Sequence, residues 1–249
     1  MFELDTDHAA ARTDGTLRRT SADTLSVLTS AFVDHGVRSV LDIGCGDGTL
    51  AAALDGRGFD VTGIDPSADA LERARQRLPG SEFHCAPAEA LPGSMGRFDA
   101  ACFVNSLHHV SPDRMQDALM GAISTIRSKG ILLVIEPLAQ GSFFRAMRPI
   151  EDETRIRAQA ASAVETLISD DKVILRDLRR WNRENHFTGL SDFIGYLARV
   201  LPERAEIARR NEAALARAWR DNIHSVGGMA VLIQPMVCWT LTANPVSQR

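Results

Sequence analysis

Residues 40–50 read VLDIGCGDGTL, in which three glycines alternate with other residues directly after an apolar stretch. Glycine has no β-carbon, so Gly44, Gly46 and Gly48 would let a ligand lie against the peptide N–H groups of a turn. Where a helix begins at such a turn, its first N–H groups have no partner within the helix and favour anionic or polar ligand groups. The pattern indicates a ligand-binding turn between a buried strand and a helix.

The spacing of the glycines limits the choice of ligand. A glycine-rich turn after a buried strand can hold a dinucleotide, a phosphate or S-adenosylmethionine. The nicotinamide-binding turn usually reads GxGxxG, which from Gly44 requires glycine at position 49, where this chain has Thr49. The observed GxGxG spacing disfavours a nicotinamide-dependent oxidoreductase and leaves the other ligands open.

Two histidines and a glutamate are candidates for acid–base chemistry. His108 and His109 follow the apolar stretch FDAACFV, and Glu136 ends the stretch ILLVIE. If both stretches are parallel strands, these side chains lie at the carboxyl edge of the sheet, where open α/β sheets bind ligands. Each is a candidate catalytic residue, with a structural or cofactor-wall role as the alternative. We expect no metal site, because His108, His109 and Asp113 lack a further spaced ligand.

Strands that alternate with helices would position these residues. The strands are predicted in five apolar stretches: VRSVLDI, FDVTGID, EFHCA, FDAACFV and ILLVIE. This alternation implies βαβ units and a parallel sheet covered on both faces. We predict an α/β fold with a doubly wound, mostly parallel seven-stranded sheet, whose core occupies residues 1–140 and includes an N-terminal helix.

After Pro137 the pattern changes. Residues 141–225 are predicted to form a mainly helical cover with one strand, KVILRDLRRW, inserted before a closing strand in residues 226–249. The stretch SDFIGYLARVLPERAEIARRNEAALARAW predicts two helices broken near Pro202. Because proline cannot donate to a ladder, Pro235 predicts an edge position or a bulge in the closing strand. Six residues could line a substrate cavity, although solvated strand faces and ordinary packing explain them better: Arg148, Glu151, Arg176, Arg180, Trp181 and Tyr196.

The sequence from about residue 37 to 140 resembles the class I S-adenosylmethionine-dependent methyltransferases in four motifs that follow the family's order. VLDIGCGDGTL resembles the first motif, and GIDPSADALERAR resembles the second. APAEALP, at 86–92, resembles the third. FDAACFVNSLHHV resembles the fourth, which in the family lies beneath the sulfonium. The resemblance implies the fold predicted above and S-adenosylmethionine as cofactor.

The resemblance also assigns roles to the matched residues. Asp42 would help to receive the methionine end of the cofactor, and Asp65 would accept both ribose hydroxyls. The family's usual adenine-binding aspartate is replaced by Pro87, so Ala88, Glu89 or the shape of the site would recognise the adenine. The residues expected to bind the cofactor are Asp42, Gly44, Cys45, Gly46, Asp65, Pro66, Ala88, Glu89, Asn105 and Ser106.

The function that the resemblance implies is methyl transfer from S-adenosylmethionine to a small-molecule acceptor by in-line displacement. The alternatives are a methyltransferase that acts on RNA or protein, suggested by the arginines of 176–183, and a non-catalytic S-adenosylmethionine-binding protein. A net charge of −4 does not favour nucleic acid as partner. A homodimer is possible.

The N-terminal residues, the lengths of the apolar runs and the cysteines indicate where in the cell the protein is found. The N-terminal residues MFELDTDHAAARTDG are acidic and contain no apolar segment, and no run approaches the roughly 18 apolar residues of a membrane span. The 4 cysteines form no CxxC pair, which is typical of reduced thiols. We expect a cytoplasmic protein with no membrane segment.

Overall fold

The computed structural model describes residues 21–92 and 95–245. Within these ranges the strands are β1 (Ser39–Ile43), β2 (Asp60–Asp65), β3 (Phe83–Cys85), β4 (Phe98–Val104), β5 (Ile126–Pro137), β6 (Val173–Phe187), β7 (His224–Val226) and β8 (Met229–Ala243). The α-helices are α1 (Thr24–Asp34), α2 (Thr49–Asp55), α3 (Ala68–Arg77), α4 (Met115–Thr125), α5 (Gly141–Met147), α6 (Thr154–Ser169), α7 (Leu190–Val200), α8 (Arg204–Arg210) and α9 (Glu212–Asn222). Short 3-10 turns follow β3 and β4, at Ala88–Ala90 and Leu107–His109.

The strands form one sheet in the order β3-β2-β1-β4-β5-β8-β6. Strands β1 to β5 are parallel to one another, whereas β8 is antiparallel to both β5 and β6. The predicted α/β class and the mostly parallel, doubly wound sheet are confirmed. The described residues add an eighth strand to the seven expected, because β7 pairs with the start of β8 in a hairpin through Gly227 and Gly228.

Both faces of the sheet are buried, which explains the apolar character of its strands. Val40 belongs to a core cluster that includes Leu28 of α1 and Leu71 of α3. The next residue, Leu41, belongs to a second cluster on the opposite face, which includes Val164 of α6 and residues of α4. Adjacent residues of a strand point to opposite faces. The sheet is therefore fixed on both sides, and its carboxyl edge is a rigid platform for a site.

A third core cluster joins α5, α7, α8 and α9 to the end of β6 and to β8. Its centre is aromatic, with the Phe187 and Phe193 rings 5.3 Å apart and edge-to-face. Helix α6, which lies in the predicted cover segment, packs instead against the sheet. Three helices follow β6 in place of the two expected, because a second break occurs at Asn211. The Asn211 Nδ2 donates to the Pro149 carbonyl at 2.7 Å.

Pro235 lies in β8, which is an interior strand, and it pairs with Asn182 of β6 without a shift in register, so neither the expected edge position nor the expected bulge is found. The strand tolerates proline because the pairing of β8 with β5 ends one residue further on, at Met236 opposite Pro137. The neighbouring carbonyl of Leu138 accepts hydrogen bonds from side chains instead, including a 2.8 Å bond from Gln234 Nε2.

Candidate active site

The glycine turn after β1 folds against the end of β2. The backbone N–H groups of Gly44 and Cys45 both donate to the Ile64 carbonyl, at 2.8 and 3.0 Å. Gly44 has a φ of +77°, and an added β-carbon would lie 2.5 Å from the Ser106 β-carbon. Only glycine satisfies both the left-handed backbone and this close approach. The turn is thus locked against the loop that follows β4.

Asp65, at the end of β2, is held by two backbone donors. Its Oδ2 accepts from the Gly46 N–H at 2.9 Å, and its Oδ1 accepts from the Ser67 N–H at 2.8 Å. A carboxylate oxygen has two acceptor sites, so each oxygen keeps one for a further donor such as a hydroxyl. No atom lies within 4 Å of the position of an added β-carbon on Gly46, which leaves this side of the turn open.

Asp42 lies in β1 and is only 2% exposed. Burial, followed by the negative charge of Asp65, raises the pKa of Asp42 to about 7. The Cys102 thiol is 3.9 Å from Asp42 Oδ1, but Oδ2 is buried and has no hydrogen-bond partner among the described residues. A buried acceptor without a donor costs free energy unless a ligand supplies the donor.

A cavity of about 550 Å³ lies at the carboxyl ends of β1, β2 and β4. Its size falls in the range of about 300–1,000 Å³ that is typical of small-molecule sites. It is lined by most of the residues that we expected to bind the cofactor: Gly44, Asp65, Pro66, Ala88, Glu89, Asn105 and Ser106.

Three of the expected cofactor residues do not line this cavity. Asp42 is buried in β1, and Gly46 contacts Asp65 through its N–H. The Cys45 side chain packs against Gly63 in the core, where burial, ahead of the nearby carboxylates, raises its pKa. Cys45 can therefore contribute to the site only through its backbone.

Asn105 adopts an unusual backbone conformation at the carboxyl end of β4. Its φ of 55° is in the left-handed region, and its N–H donates to the Ile135 carbonyl at 2.8 Å. Its side-chain Oδ1 is buried and has no partner among the described residues. Non-glycine residues in this region cost free energy and are concentrated at functional sites. Next to it, Ser106 Oγ donates to the Ile43 carbonyl at 2.6 Å.

Glu136 and His108 form a buried pair beneath this loop. Glu136 is 2% exposed, accepts from the Leu107 N–H at 2.9 Å through Oε1, and pairs with His108 Nδ1 through Oε2. Burial lowers the pKa of His108, but the charge and hydrogen bond of Glu136 outweigh burial and raise the pKa above its usual value. The pairing with Glu136 therefore favours the protonated form of His108.

His109 differs from His108 in both position and charge. Its ring stacks on the His108 ring with centroids 4.2 Å apart. Desolvation by the surrounding protein lowers the pKa of His109, and the positive charge of His108 lowers it further. His109 is therefore neutral at pH 7 and able to accept a proton.

A second cavity, of about 130 Å³, adjoins the first. Asn105, His109 and Val200 line both cavities, so these residues mark the junction between them. The wall of the second cavity comes mainly from the region after β5, including α5, α6 and α7: His108, Pro137, Phe143, Met147, Glu153, Arg157, Arg183, Tyr196, Leu197, Arg204 and Gln234.

The residues that the sequence suggested for a substrate cavity are mostly elsewhere. Tyr196 lines the second cavity, but Arg176 and Arg180 are exposed on β6. Trp181 is buried in the core cluster beside α1. Arg148 pairs with Asp152 on the surface, and Glu151 pairs with Arg204.

Sequence reasoning missed Arg183, which does line the second cavity. A signal was present, because residues two apart in a strand share a face and Arg183 is two residues after Trp181. Glu153, Arg157 and Arg204 were also missed. Glu153 and Arg157 are an i,i+4 pair that local spacing could have suggested, whereas the pairing of Glu153 with Arg204 depends on the tertiary structure.

Among residues 21–92 and 95–245, no group of three or more His, Cys, Asp or Glu side chains is placed to hold a metal ion. In the same part of the chain, no helix has the length and apolar character needed to cross a membrane.

Comparison with known proteins gives a consistent result. The family model described as a methyltransferase domain matches residues 40–130. An uncharacterised methyltransferase of Mycobacterium tuberculosis is 35% identical over 100 residues, which are 39% of this chain and 51% of that protein. Malonyl-[acyl-carrier protein] O-methyltransferase of Salmonella typhimurium is 31% identical over 170 residues, 68% of this chain and 63% of that protein. A Bacillus halodurans C-125 structure assigned as a methyltransferase shares the fold at 19% identity, with a TM-score of 0.61 over 89% of this chain and 99% of that one.

Residues 40–130 form a methyltransferase domain of the class I type, as the four motifs predict, and the cofactor of this class is S-adenosylmethionine. The described residues fit this cofactor. Asp42 Oδ2 lacks a donor, Gly44 has no room for a β-carbon, and the cavity at the strand ends has the volume of a small-molecule site. The chain spans about half the length of the first curated relatives that it matches, 51% and 47% in two of them.

Proposed function

We propose that the protein transfers a methyl group from S-adenosylmethionine, bound in the larger cavity, to a small molecule bound in the second cavity. The observation that carries the proposal is that the two cavities meet at Asn105, His109 and Val200. Methyl transfer by in-line displacement requires donor and acceptor in contact, with water excluded. Two adjoining cavities that share lining residues would bring donor and acceptor into contact.

The roles of the cofactor-binding residues follow from their hydrogen bonds. Asp65 would accept the two ribose hydroxyls, because each carboxylate oxygen has one free acceptor site beside a fixed backbone donor. Asp42 Oδ2 would gain the donor that it lacks from the amino-acid end of the cofactor. The N–H groups at the start of the Ala88–Ala90 turn, with Glu89, would face the adenine in place of a side-chain acid at position 87.

When bound, S-adenosylmethionine supplies a methyl group on a positively charged sulfur, which keeps the electron pair of the broken carbon–sulfur bond while the acceptor forms the new bond. A hydroxyl or ammonium acceptor must also lose a proton. His109 would accept that proton, since it is neutral at pH 7 and lines both cavities. His108 is less suited to this role because its Nδ1 is paired with Glu136, which raises the pKa of His108 and would position its ring.

The proposal is tested by measuring S-adenosylhomocysteine formation from S-adenosylmethionine over a panel of small phenols, carboxylic acids, amines and thiols. We expect turnover with at least one class, and loss of that turnover in Asp65→Ala. Tight binding of S-adenosylmethionine with no turnover on any acceptor would overturn the proposal in favour of a cofactor-binding protein. Turnover with RNA or protein alone, weakening steeply with salt for RNA, would replace the small molecule as acceptor.

A further inference from the structure

Three arginines line the second cavity, and buried or partly buried glutamates neutralise two of them. Arg157 Nε donates to Glu153 Oε2 at 2.8 Å. Arg204 Nη2 donates to Glu153 Oε1 at 2.7 Å and to Glu151 Oε2 at 2.6 Å. Two positive charges therefore meet two negative charges, and His108 is paired with Glu136. This part of the wall has no net charge to offer a ligand.

Arg183, the third arginine, is different. It forms no ion pair with any residue in the described ranges, and its Nε is buried without a hydrogen-bond partner. Gln234 lies opposite Arg183 in the β6–β8 ladder, but its side chain is hydrogen-bonded to other residues. Gln234 Oε1 accepts from Arg157 at 3.2 Å, and its Nε2 donates to the Leu138 carbonyl at 2.8 Å. Arg183 is left with one uncompensated positive charge.

The backbone of β6 fixes the direction in which Arg183 points. Trp181 and Phe187 are 2% and 3% exposed, and they lie on the same face of the strand as Arg183 because residues two and four apart share a side. The Arg183 side chain therefore leaves the strand towards the interior, between two anchored aromatic residues. A buried guanidinium donor without a partner is costly, and an anionic ligand group would remove that cost.

We propose that the acceptor is a small carboxylic acid whose carboxylate binds Arg183 in the second cavity. This inference rests on the proposed function, because it identifies the substrate class of the same site. The planar guanidinium matches a carboxylate with two parallel hydrogen bonds. A monoanion balances the single uncompensated charge, whereas a phosphate dianion would also meet the Glu153 carboxylate in the same cavity. The rest of the acceptor extends to Asn105 and His109, at the junction with the cofactor cavity.

The test uses the full chain saturated with S-adenosylhomocysteine and isothermal titration with matched acid and amide pairs. Suitable probes are 4-hydroxybenzoate with 4-hydroxybenzamide and 3-hydroxypropanoate with its amide, together with phenyl phosphate. We expect at least one acid to bind at least about tenfold more tightly than its amide and than phenyl phosphate. This difference is the scale of one charge-assisted hydrogen-bonded contact.

Variants then assign the selectivity to Arg183. Arg183→Gln should lose at least about tenfold in affinity for the acid and little for the amide, and Arg183→Lys should recover part of the loss. The matched control is Arg180→Gln, which removes the same charge from an exposed position of the same strand, and it should bind the acid like the unmodified protein. S-adenosylhomocysteine affinity, measured first in each variant, reports that the site is folded.

The outcomes separate this inference from the proposed function. Equal binding of acids and amides, no binding of any acid, stronger binding of phenyl phosphate, or an unchanged acid affinity in Arg183→Gln would each overturn the carboxylate site. An acid that binds through Arg183 without being methylated would leave the carboxylate site standing and count against methyl transfer. If the acid is methylated, Arg183→Gln should raise KM at least about tenfold with a smaller change in kcat, because Arg183 holds the acceptor and does not touch the transferred methyl group.

Discussion

The Gly46 backbone N–H donates a 2.9 Å hydrogen bond to the Asp65 carboxylate. This bond joins the glycine turn after β1 to the end of β2, and the Ser67 N–H fixes the other carboxylate oxygen at 2.8 Å. Both oxygens are therefore held by backbone atoms, and their remaining acceptor sites point in fixed directions. The site is preorganised for a ligand with two neighbouring hydroxyls before the ligand arrives.

Asp65→Ala should weaken S-adenosylmethionine binding by at least about tenfold, since it removes two charge-assisted hydrogen bonds to the ribose. Isothermal titration calorimetry measures the affinity directly. The matched control is Asp60→Ala, which removes an exposed carboxylate at the opposite end of the same strand. Equal affinities in the Asp65→Ala and Asp60→Ala variants would show that the ribose assignment is wrong.

Gly44→Ala should destabilise the protein more than Gly58→Ala. Both glycines have positive φ, +77° and +87°, so alanine is strained at either position. At Gly58 no atom lies within 4 Å of the new β-carbon, whereas at Gly44 it would lie 2.5 Å from the Ser106 β-carbon. We expect the free energy of unfolding to fall by about 1 kcal/mol in Gly58→Ala and by about 3 kcal/mol or more in Gly44→Ala.

Urea denaturation of the two glycine variants gives the free energies of unfolding. The difference between them isolates the contact with Ser106, because the backbone strain is common to both. If the two variants lose the same free energy, the close approach of the glycine turn to the loop after β4 does not restrict residue 44.

The positions of the first five strands along the chain and the cofactor half of the site could be predicted from the sequence because they depend on local patterns. Buried parallel strands are short apolar runs, and a turn that approaches a ligand requires glycine at fixed spacing. Gly44, Asp65 and Asn105 therefore line the cavity where their motifs placed them. Asp42 was assigned from the same motif, but its burial and its unpaired oxygen depend on neighbouring strands that the motif does not contain.

The acceptor half could not be predicted because its walls come from distant parts of the chain. Glu153 and Arg204 are paired through the packing of α6 and α8, and no spacing rule relates residues 51 positions apart. Arg180 and Arg183 lie three residues apart in β6 and so point to opposite faces, but strand alternation alone does not say which face meets the cavity. The break at Asn211 was missed for a similar reason, because its side chain bonds to the distant Pro149 carbonyl.

Asp42→Asn should stabilise the ligand-free protein at pH 8 but not at pH 4. Burial and the charge of Asp65 raise the pKa of Asp42 from 3.8 to about 7, so the folded protein binds a proton that the unfolded chain has released between these values. The stability contributed by Asp42 is therefore fully present below about pH 4 and falls as the pH rises towards 7. The pKa difference corresponds to a loss of at most about 4 kcal/mol of folding stability when Asp42 ionises. Asparagine avoids this loss because it cannot ionise.

Urea denaturation at pH 4, 6 and 8 without cofactor measures this effect as the stability gap between Asp42→Asn and the unmodified protein. Asp60→Asn, on the exposed end of β2, should show no such trend. A gap for Asp42→Asn that is equal at all three pH values would show that the Asp42 carboxyl titrates normally. In the presence of S-adenosylmethionine the variant should lose its advantage, because the cofactor supplies the missing donor to the ionised carboxylate.

Glu136→Gln should destabilise the protein more at pH 6 than at pH 9. Burial opposes the charge on His108, but Glu136 outweighs it and raises the pKa of His108 from 6.5. A histidine whose pKa is raised on folding contributes stability that is present below pH 6.5 and is lost as the pH rises through its folded pKa. Glutamine keeps an acceptor for the Leu107 N–H but not the charge, so at pH 6 the loss should be about 2–3 kcal/mol.

The matched control for Glu136→Gln is Glu82→Gln, which removes the charge from an exposed pair in which His84 Nε2 lies 3.5 Å from Glu82 Oε2. Exposed pairs contribute about 0–1 kcal/mol, so the control should change little at either pH. Urea denaturation of both variants at pH 6 and 9 gives the comparison. If Glu136→Gln lowers the free energy of unfolding by the same amount at both pH values, Glu136 stabilises the fold through the Leu107 N–H and not through a charged His108.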